Sequence, residues 1–395
     1  MQYMDIARRM ALAVLIGSLA FCSVLAQADP SSVPSIAPRL QPFVDDGTIP
    51  GAVTLVASRN KILSLEAVGY ADLAAKKPMA TDCEFWIASM SKAITAAGLM
   101  ILVDQGKVNL DDPVSKYIPE FANDKTWLIV PMRGDTQTQP ATPTHDITVR
   151  EILSHTAGLR ATSRFESPTL DIYPLSDRVI SYTKMPLLSD PGTEYSYANS
   201  GINTAGRIIE IVSGEPYAQF LQDRIFGPLG MTDTTFFPNK EQIARLALSY
   251  SYNSQTNILV PVNIGQLKYP LDDPSRQSMP AGGLFATASD VAKFCQMLLR
   301  GGVAADGKRI LSQEAVTTMT TKQTGSLVKT PYGFGLGVSP VGYGHGGAYS
   351  TDMQVDAKRG IISVFMVQMA GWNKDARAKL GNAYNGAVAQ YPQQK

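Results

Sequence analysis

The sequence FWIASMSKAITAAGLMILV, residues 85–103, decides the fold of this chain. The run Ala93–Val103 is apolar except for Thr95. A helix that is apolar on every side is buried in the protein interior. Ser89 and Lys92, three residues apart at the start of this helix, share one of its faces. The stretch therefore predicts a buried helix that begins with a serine and a lysine in contact.

The spacing Ser-x-x-Lys is weak evidence by itself, because it occurs four times in the chain, at Ser58/Lys61, Ser89/Lys92, Ser181/Lys184 and Ser326/Lys329. Context separates the four pairs. The first flanks a predicted hairpin turn, the third is followed closely by Pro186, and Ser326 lies in a polar loop. Only Ser89 precedes a long apolar helix, so it is the predicted nucleophile.

Lys92 has the properties of a base at this position. Burial lowers the pKa of a lysine, and the positive end of the helix dipole also disfavours its protonated form. A neutral amine within reach of a serine hydroxyl can activate it. The alternative is structural: Ser89 would cap the helix, and Lys92 would extend its amine to solvent.

The segment Tyr197-Ala-Asn199 supplies further candidates. In an extended chain, residues two apart face the same way, so Tyr197 and Asn199 can enter one cleft. A phenol can relay protons and an amide can hold a substrate carbonyl. Tyr195 lies on the same side, and spacing does not choose between the tyrosines. The alternative is an aromatic edge of the core.

The segment His345-Gly346-Gly347 lies between two predicted strands. Its glycines allow a substrate to approach the backbone closely. A backbone donor here could complete an oxyanion hole opposite the N–H group of Ser89. A structural turn is the default interpretation of so short a motif.

Taken together, these motifs resemble the class C β-lactamases, family VIII carboxylesterases and penicillin-binding proteins. The motifs occur in the order Ser89-Met-Ser-Lys92, Tyr197-Ala-Asn199 and His345-Gly-Gly347. Three more stretches also look like this family: Ile152–Leu159, Pro191–Thr193 and Gly227–Met231. His155 falls in a stretch that in this family is structural, so it is left out of the predicted site.

The resemblance implies roles for the predicted site residues. Ser89 would be acylated and Lys92 would take its proton. Tyr197 would protonate the leaving group and activate water, while Asn199 would orient the substrate. The backbone N–H groups of Ser89 and Ala348 would form the oxyanion hole.

The sequence departs from the β-lactamase pattern at His345, where a lysine is usual. A histidine that is neutral at most physiological pH values holds a carboxylate less well than a fixed cation does. The expected activity is hydrolysis of small-molecule esters, amides or peptides through an acyl-enzyme, with weak or no β-lactam hydrolysis. The alternative is a penicillin-binding sensor or binding protein of the same fold, which is acylated without turnover.

Strands are predicted near both ends of the chain and helices between them. The predicted strands are Gly51–Ser58, Ile62–Tyr70, Tyr332–Val338, Asp352–Asp356 and Ile361–Gln368. The predicted helices are Ala93–Val103, Val149–Ser154, Ile202–Val212, Ala218–Ile225, Ala288–Leu299 and Lys374–Val388. This order indicates an α/β (α+β) fold of the β-lactamase/transpeptidase type, an antiparallel sheet flanked by helices with an inserted all-helical lobe.

The domain prediction has two parts. Residues 1–28 have the basic, apolar and small-residue regions of a cleaved signal peptide, which predicts a periplasmic or secreted bacterial protein with no membrane contact after cleavage. Residues 29–395 form the hydrolase domain. Its sheet lobe spans about 38–95 and 275–395, and its helical lobe about 96–274.

Composition argues against other classes of function. The formal net charge of +1 gives no reason to expect nucleic acid as a partner. The three histidines lack metal-ligand spacing, and no cofactor is expected. Cys83 and Cys295 remain after signal cleavage and are expected to be buried separately, although a disulfide between them stays open. The oligomeric state is also left open.

Overall fold

The computed structural model describes residues 34–122, 127–130 and 141–394. The predicted signal peptide, residues 1–28, lies outside this part of the chain. Within it, no helix is both long enough and apolar enough to cross a membrane.

The strands lie in two groups, one near each end of the chain, with a separate hairpin between the groups. In chain order they are β1 (Gly51–Ser58), β2 (Ile62–Asp72), β3 (Lys77–Pro78), β4 (Phe85–Trp86), β5 (Ser249–Asn253), β6 (Ile258–Val262), β7 (Phe285–Ala286), β8 (Gly337–Val338), β9 (Gly342–Gly346), β10 (Asp352–Asp356), β11 (Ile361–Met366) and β12 (Met369–Gly371).

Helices lie along the middle of the chain, separated by irregular connections, and also flank the strands at its ends. They are α1 (Ala37–Asp45), α2 (Ser91–Asp104), α3 (Val149–Ser154), α4 (Leu175–Tyr182), α5 (Asn199–Ser213), α6 (Tyr217–Leu221), α7 (Gly227–Leu229), α8 (Lys240–Arg245), α9 (Ala288–Leu299), α10 (Gln313–Met319) and α11 (Lys374–Val388). A π-helical turn, Gln222–Phe226, joins α6 to α7.

The main sheet has seven strands in the order β3-β2-β1-β11-β10-β9-β8, and each neighbouring pair is antiparallel. It joins residues 51–78 to residues 337–366, so the sheet is built from both ends of the chain. This arrangement confirms the predicted fold class of an antiparallel sheet with helices.

Both faces of the sheet are covered, as the interior strand β1 shows. All its residues are buried. Val53 and Leu55 belong to the large core cluster that contains α2 and α9, whereas Ala52 and Val56 belong to a second cluster with α1 and α11. Successive side chains of a strand point to opposite faces, so β1 contributes to two hydrophobic layers at once.

Helix α2 confirms the predicted buried helix. Each residue from Ser91 to Leu102 is buried, whichever face of the helix it occupies. Helices α5, α6 and α10 pack against it. The other predicted helices are also present, although Ala218–Ile225 is partly π-helical.

Three local predictions need correction. The inserted segment is not all-helical, because β5 and β6 form a hairpin that pairs with β12 in a second sheet. Tyr332–Val338 is not one continuous strand, because the chain turns at Gly335 (φ +65°), where it packs against the backbone of Lys92, and only Gly337–Val338 forms a strand. His345 does not lie between strands, since it is part of β9.

Cys83 and Cys295 are separate, buried free thiols. Burial raises the pKa of Cys295 to about 12, so this thiol stays protonated and unreactive.

Glu84 is a buried carboxyl group five residues before Ser89. It is fully buried, and neither carboxyl oxygen has a hydrogen-bond partner in the described part of the chain. Arg245 Nη2 lies 3.7 Å away, but this guanidinium also binds Asp233. Burial raises the pKa of Glu84 to about 9, so the folded protein keeps the side chain protonated at neutral pH.

We expect Glu84→Gln to make stability less dependent on pH. Because the folded pKa of Glu84 lies above its ordinary value of 4.5, unfolding releases a proton, and stability falls as pH rises from about 5 to 9. The loss is at most about 1.4 kcal/mol per pH unit. Urea unfolding at pH 5 and pH 8 measures this. Relative to the wild type, the free energy of unfolding of the variant should be higher at pH 8 than at pH 5. A pH-independent difference would contradict the assignment.

Candidate active site

Ser89 is the one residue in a long buried stretch of the chain that is partly exposed. From Cys83 to Leu102 every residue is buried except Ser89, which is half-buried. It lies in a short 3₁₀ turn, Ala88–Met90, directly before α2. Within this stretch, Ser89 alone is accessible from outside the protein interior.

The backbone before Ser89 is strained. Ala88 has φ +45°, in the left-handed region, which costs a non-glycine residue about 1–3 kcal/mol. Its carbonyl oxygen accepts a 2.7 Å hydrogen bond from Ser91 Oγ. Ser91 Oγ in turn accepts from the N–H of Leu284, and Ile87 N–H donates to the Leu284 carbonyl. The segment around Leu284 thus holds the serine turn in place.

Lys92 meets Ser89 as the spacing predicts. Its side chain is fully buried, and Nζ lies 3.0 Å from Ser89 Oγ. Nζ donates to Asn199 Oδ1 at 2.9 Å and to the carbonyl oxygen of Ala281 at 2.6 Å. Burial lowers the pKa of Lys92 to about 7. A substantial fraction of the amine is therefore uncharged at neutral pH.

The two carbonyl acceptors orient this amine. Neither Asn199 Oδ1 nor the Ala281 carbonyl can donate a hydrogen bond. An uncharged amine has two N–H groups, and these two oxygens occupy both of them. The lone pair of the nitrogen is then left for the third neighbour, the hydroxyl of Ser89. The geometry suits transfer of a proton from Ser89 to Lys92.

Tyr197 covers this pair from the cleft side. Its ring centroid lies 4.8 Å from Lys92 Nζ, and its side chain is 40% exposed. Burial raises the pKa of its phenol well above the ordinary value, and a hydrogen bond with Ser89 opposes this only in part. Tyr195 instead packs against His155 and Tyr332. The structure thus brings Tyr197, rather than Tyr195, to the serine and lysine.

Asn199 is the first residue of α5, two residues after Tyr197. Its backbone N–H and that of Ser200 both donate to the carbonyl oxygen of Ala161, at 3.1 and 3.2 Å. In this structure the side chain of Asn199 binds Lys92, the predicted base.

His345 faces Tyr197 from β9. Its Nδ1 lies 2.7 Å from the Gly346 carbonyl oxygen, which can only accept, so Nδ1 carries the proton. Nε2 then accepts from Tyr332 Oη at 3.1 Å and, more weakly, from Tyr197 Oη at 3.5 Å. Burial, and to a lesser extent the charge of Lys92, lower the pKa of His345 to about 4. The residue is therefore neutral at physiological pH.

Gly347 brings the turn after β9 close to the serine. A Cβ at this position would lie 2.1 Å from Thr351 Oγ1 and 2.7 Å from the carbonyl oxygen of Ile87, two residues before Ser89. The next residue, Ala348, is exposed. The predicted oxyanion-hole segment is thus packed directly against the turn that carries Ser89.

A cavity of about 440 Å³ opens beside Tyr197 and His345. Four tyrosines line it: Tyr195, Tyr197, Tyr332 and Tyr343. The remaining lining residues are neutral, since His345 is uncharged. This neutral, aromatic cavity suits an uncharged group of a substrate.

Sequence reasoning missed three contributors. Ala281 acts through its backbone carbonyl, which leaves no signal in the sequence. Tyr332 is hydrogen-bonded through its phenol to Nε2 of His345. His155 was left out of the site, yet its ring lies 4.5 Å from that of Tyr197. Among the described residues, no group of three or more His, Cys, Asp or Glu side chains could hold a metal ion.

The fold and this arrangement of serine, lysine and tyrosine define a protein of the β-lactamase/transpeptidase type. The family model described as Beta-lactamase matches residues 36–387. The chain therefore belongs to the β-lactamase family, a hydrolase family that includes esterases and penicillin-binding proteins.

Three similar proteins illustrate the range of this family. Protein Rv1367c of Mycobacterium tuberculosis is 31% identical over 82% of this chain and 87% of its own length. Lovastatin esterase of Penicillium rubens is 28% identical over 78% of this chain and 80% of its own length. The solved structure of EstCE1, described as a hydrolase with promiscuous acyltransferase activity, has a TM-score of 0.70 and 25% identity, covering 88% of this chain and 97% of EstCE1.

We expect Gly347→Ala to lower esterase activity by about tenfold or more. The added methyl group would push on the Ile87 carbonyl and move the turn that carries Ser89, and small misplacements at a reacting centre have large costs. Initial rates with a p-nitrophenyl ester measure the loss. Gly346→Ala is the comparison, because its Cβ would be 3.4 Å from its nearest neighbour. Equal losses in the two variants would contradict the packing argument.

Proposed function

We propose that this protein is a serine hydrolase that cleaves small-molecule esters or amides, including peptides, through an acyl-enzyme on Ser89. The observation that carries the proposal is the contact between Ser89 Oγ and the buried amine of Lys92, whose two other neighbours are carbonyl oxygens. That amine can only be an effective base if it is uncharged, and burial supplies this condition.

In the acylation step, Lys92 takes the proton of Ser89 while Ser89 Oγ attacks the substrate carbonyl carbon. The backbone N–H groups of Ser89 and Ala348 stabilise the resulting oxyanion. When the tetrahedral intermediate collapses, the bond to the leaving group breaks, and Tyr197 donates its proton to the departing oxygen or nitrogen. The proton held by Lys92 then restores the phenol.

In the deacylation step, water attacks the ester carbonyl of acylated Ser89. Tyr197 takes a proton from this water while its own phenolic proton passes to the uncharged amine of Lys92. Lys92 returns that proton to Ser89 Oγ when the bond from Ser89 to the acyl group breaks and the acid product leaves. Because the pKa of Tyr197 is raised, its phenolate is a strong base that exists only transiently. Lys92 can carry this proton because its Nζ lies 4.8 Å from the centroid of the Tyr197 ring and 3.0 Å from Ser89 Oγ.

The substrates that we propose lack a carboxylate at the His345 end of the cleft. His345 is neutral, and the neighbouring cavity has a neutral lining. A β-lactam or peptide carboxylate would find no fixed cation there, which favours esters over β-lactams. The esterase named among the similar proteins supports the same class of substrate.

The proposal also includes export to the periplasm or the medium. Its support is the amino-terminal pattern of Arg8 and Arg9, an apolar stretch and the sequence Ala26-Gln-Ala28.

The decisive experiment compares Ser89→Ala with Ser326→Ala. The second serine has the same Ser-x-x-Lys spacing but lies on an exposed loop. We expect hydrolysis of a p-nitrophenyl ester to fall to background in Ser89→Ala and to stay at the wild-type level in Ser326→Ala. Intact-mass analysis should show the acyl adduct on every active variant. Activity in folded Ser89→Ala would refute the proposal, and a wild-type burst without turnover would favour the acylated sensor.

We expect kcat/KM to rise with pH through about 7 and then to level off. Lys92 must lose its proton to act, and its pKa is lowered to about 7, so the active fraction increases as pH rises. Values of kcat/KM measured between pH 5 and 9 define this rising limb of the pH profile. His345→Gln serves as the control, because the pKa of His345 is about 4 and its loss should not move the limb. A flat profile, or a limb that disappears in His345→Gln, would contradict the assignment to Lys92.

A further inference from the structure

His155 holds the backbone of the Tyr197 segment at two points. It ends α3 with φ +60°, a left-handed conformation. Its carbonyl oxygen accepts a 2.9 Å hydrogen bond from the N–H of Ser196, and its side-chain Nδ1 accepts a 3.3 Å bond from the N–H of Ala198. These two donors flank Tyr197 in the chain. One residue therefore fixes the backbone on both sides of the predicted catalytic tyrosine.

The imidazole ring also contacts the side chain of Tyr197. Ring centroids of His155 and Tyr197 are 4.5 Å apart, and the rings of Tyr332 and Tyr195 lie at 4.9 and 5.9 Å. The His155 side chain is only 3% exposed. The buried imidazole ring packs against all three tyrosine rings, and the ring of Tyr197 is the closest of the three.

The hydrogen bonds specify the protonation state of His155. The backbone N–H of Ala198 can only donate, so Nδ1 must accept, and the proton of a neutral ring is then on Nε2. Nε2 is buried without a hydrogen-bond partner in the described residues, among the three tyrosine rings. Burial first, and then the charge of Lys92, lower the pKa of His155 well below its ordinary value, so no second proton is held.

The hydrogen bond between His155 and Ala198 also affects Lys92, the predicted base, through Asn199. Asn199 follows Ala198 directly, and its Oδ1 is one of the two carbonyl oxygens that orient the Lys92 amine. A shift of Ala198 would therefore move the Tyr197 phenol and the Asn199 amide together, and both of these groups face the reacting serine and lysine.

We propose that His155 is a positioning residue for this site: as a neutral imidazole protonated on Nε2, it holds residues 196–198 so that Tyr197 and Asn199 stay in contact with Lys92. The inference rests on the proposed function, because the positions of Tyr197 and Asn199 affect rate only if Ser89 and Lys92 carry out the reaction. His155 does not touch the reacting atoms.

Two substitutions separate the hydrogen bond of His155 from its bulk. His155→Phe keeps a ring but removes the acceptor. His155→Asn removes the ring but keeps an acceptor near the Nδ1 position, and asparagine tolerates the left-handed backbone. We expect kcat of the Phe variant to fall on the order of 10–100-fold, with KM little changed, because a displaced group costs rate rather than ground-state binding. His155→Asn should recover at least part of this loss.

The measurements are single-turnover acylation and deacylation rates with a p-nitrophenyl ester, together with thermal unfolding midpoints. His145→Phe is the matched control, since His145 is exposed and bonds to Glu151 instead of the Tyr197 segment. Wild-type kcat in folded His155→Phe would overturn the proposal. So would equal loss of kcat in the Phe and Asn variants, since the acceptor would then not matter.

A second measurement does not depend on activity or on variants of His155. The chain has three histidines, so ¹⁵N-histidine labelling gives three pairs of ring-nitrogen signals, which His145→Asn and His345→Gln assign by elimination. We expect His155 to be the Nε2–H tautomer, without titration from pH 6 to 9. His345 provides an internal reference, because its bond to Gly346 requires the opposite, Nδ1–H, tautomer. An Nδ1–H or doubly protonated His155 would overturn the proposal.

The two proposals fail in distinguishable ways. If the wild-type protein never forms an acyl adduct on Ser89, the hydrolase assignment fails, and His155 loses its positioning role whatever its tautomer. The adduct could instead form and turn over while His155 lacks the Nε2–H tautomer or His155→Phe keeps the wild-type kcat. In that case only the role proposed for His155 is wrong.

Discussion

An amine that is to be uncharged near pH 7 must be removed from water, and the rest of the site depends on this constraint at Lys92. Burying the amine makes its charged form costly, but a buried amine also needs partners for its N–H groups. The Ala281 carbonyl and Asn199 Oδ1 satisfy both N–H groups without adding a negative charge. A carboxylate in either position would have restored the lysine charge and removed the base.

This requirement explains why the site is assembled from distant parts of the chain. Helix α2 supplies the lysine, α5 supplies the amide, and the segment before β7 supplies the carbonyl. The same segment bonds to Ser91 through Leu284, and β7, which follows it, pairs with β4 just before Ser89. The strained turn at Ala88 and the orientation of the lysine are thus set by one piece of backbone, which couples the nucleophile to its base.

The groups around the reacting pair are polar but uncharged. His155 and His345 both have lowered pKa values, and the surrounding phenols have raised ones. Burial disfavours every charge in the cluster, so the neutral form prevails in each group. Opposite tautomers of the two histidines follow from their backbone partners, a carbonyl for one and an N–H for the other. On the proposed function, this neutrality selects substrates that lack a carboxylate.

Much of the fold could be predicted because its signals are local. The hairpin β1–β2, the helices α3, α9 and α11, and the buried helix α2 follow from periodicity and turn residues. Where long-range packing overrode the local pattern, prediction failed. The segment before β8 turns at Gly335, where it packs against the backbone of Lys92. The hairpin β5–β6 lies inside a segment that the sequence predicts to be helical.

By itself, then, the amino-acid sequence determined the buried helix, the serine and lysine on one of its faces, and the neutral histidine in place of a cation. Each of these depends on residue type and on spacing within one element. Only the tertiary structure decided that Tyr197 rather than Tyr195 reaches the lysine, that the Ala281 carbonyl orients the amine, and that His155 belongs beside the site. These facts depend on backbone groups and ring contacts between elements far apart in the chain, and such contacts exist only after folding brings those elements together.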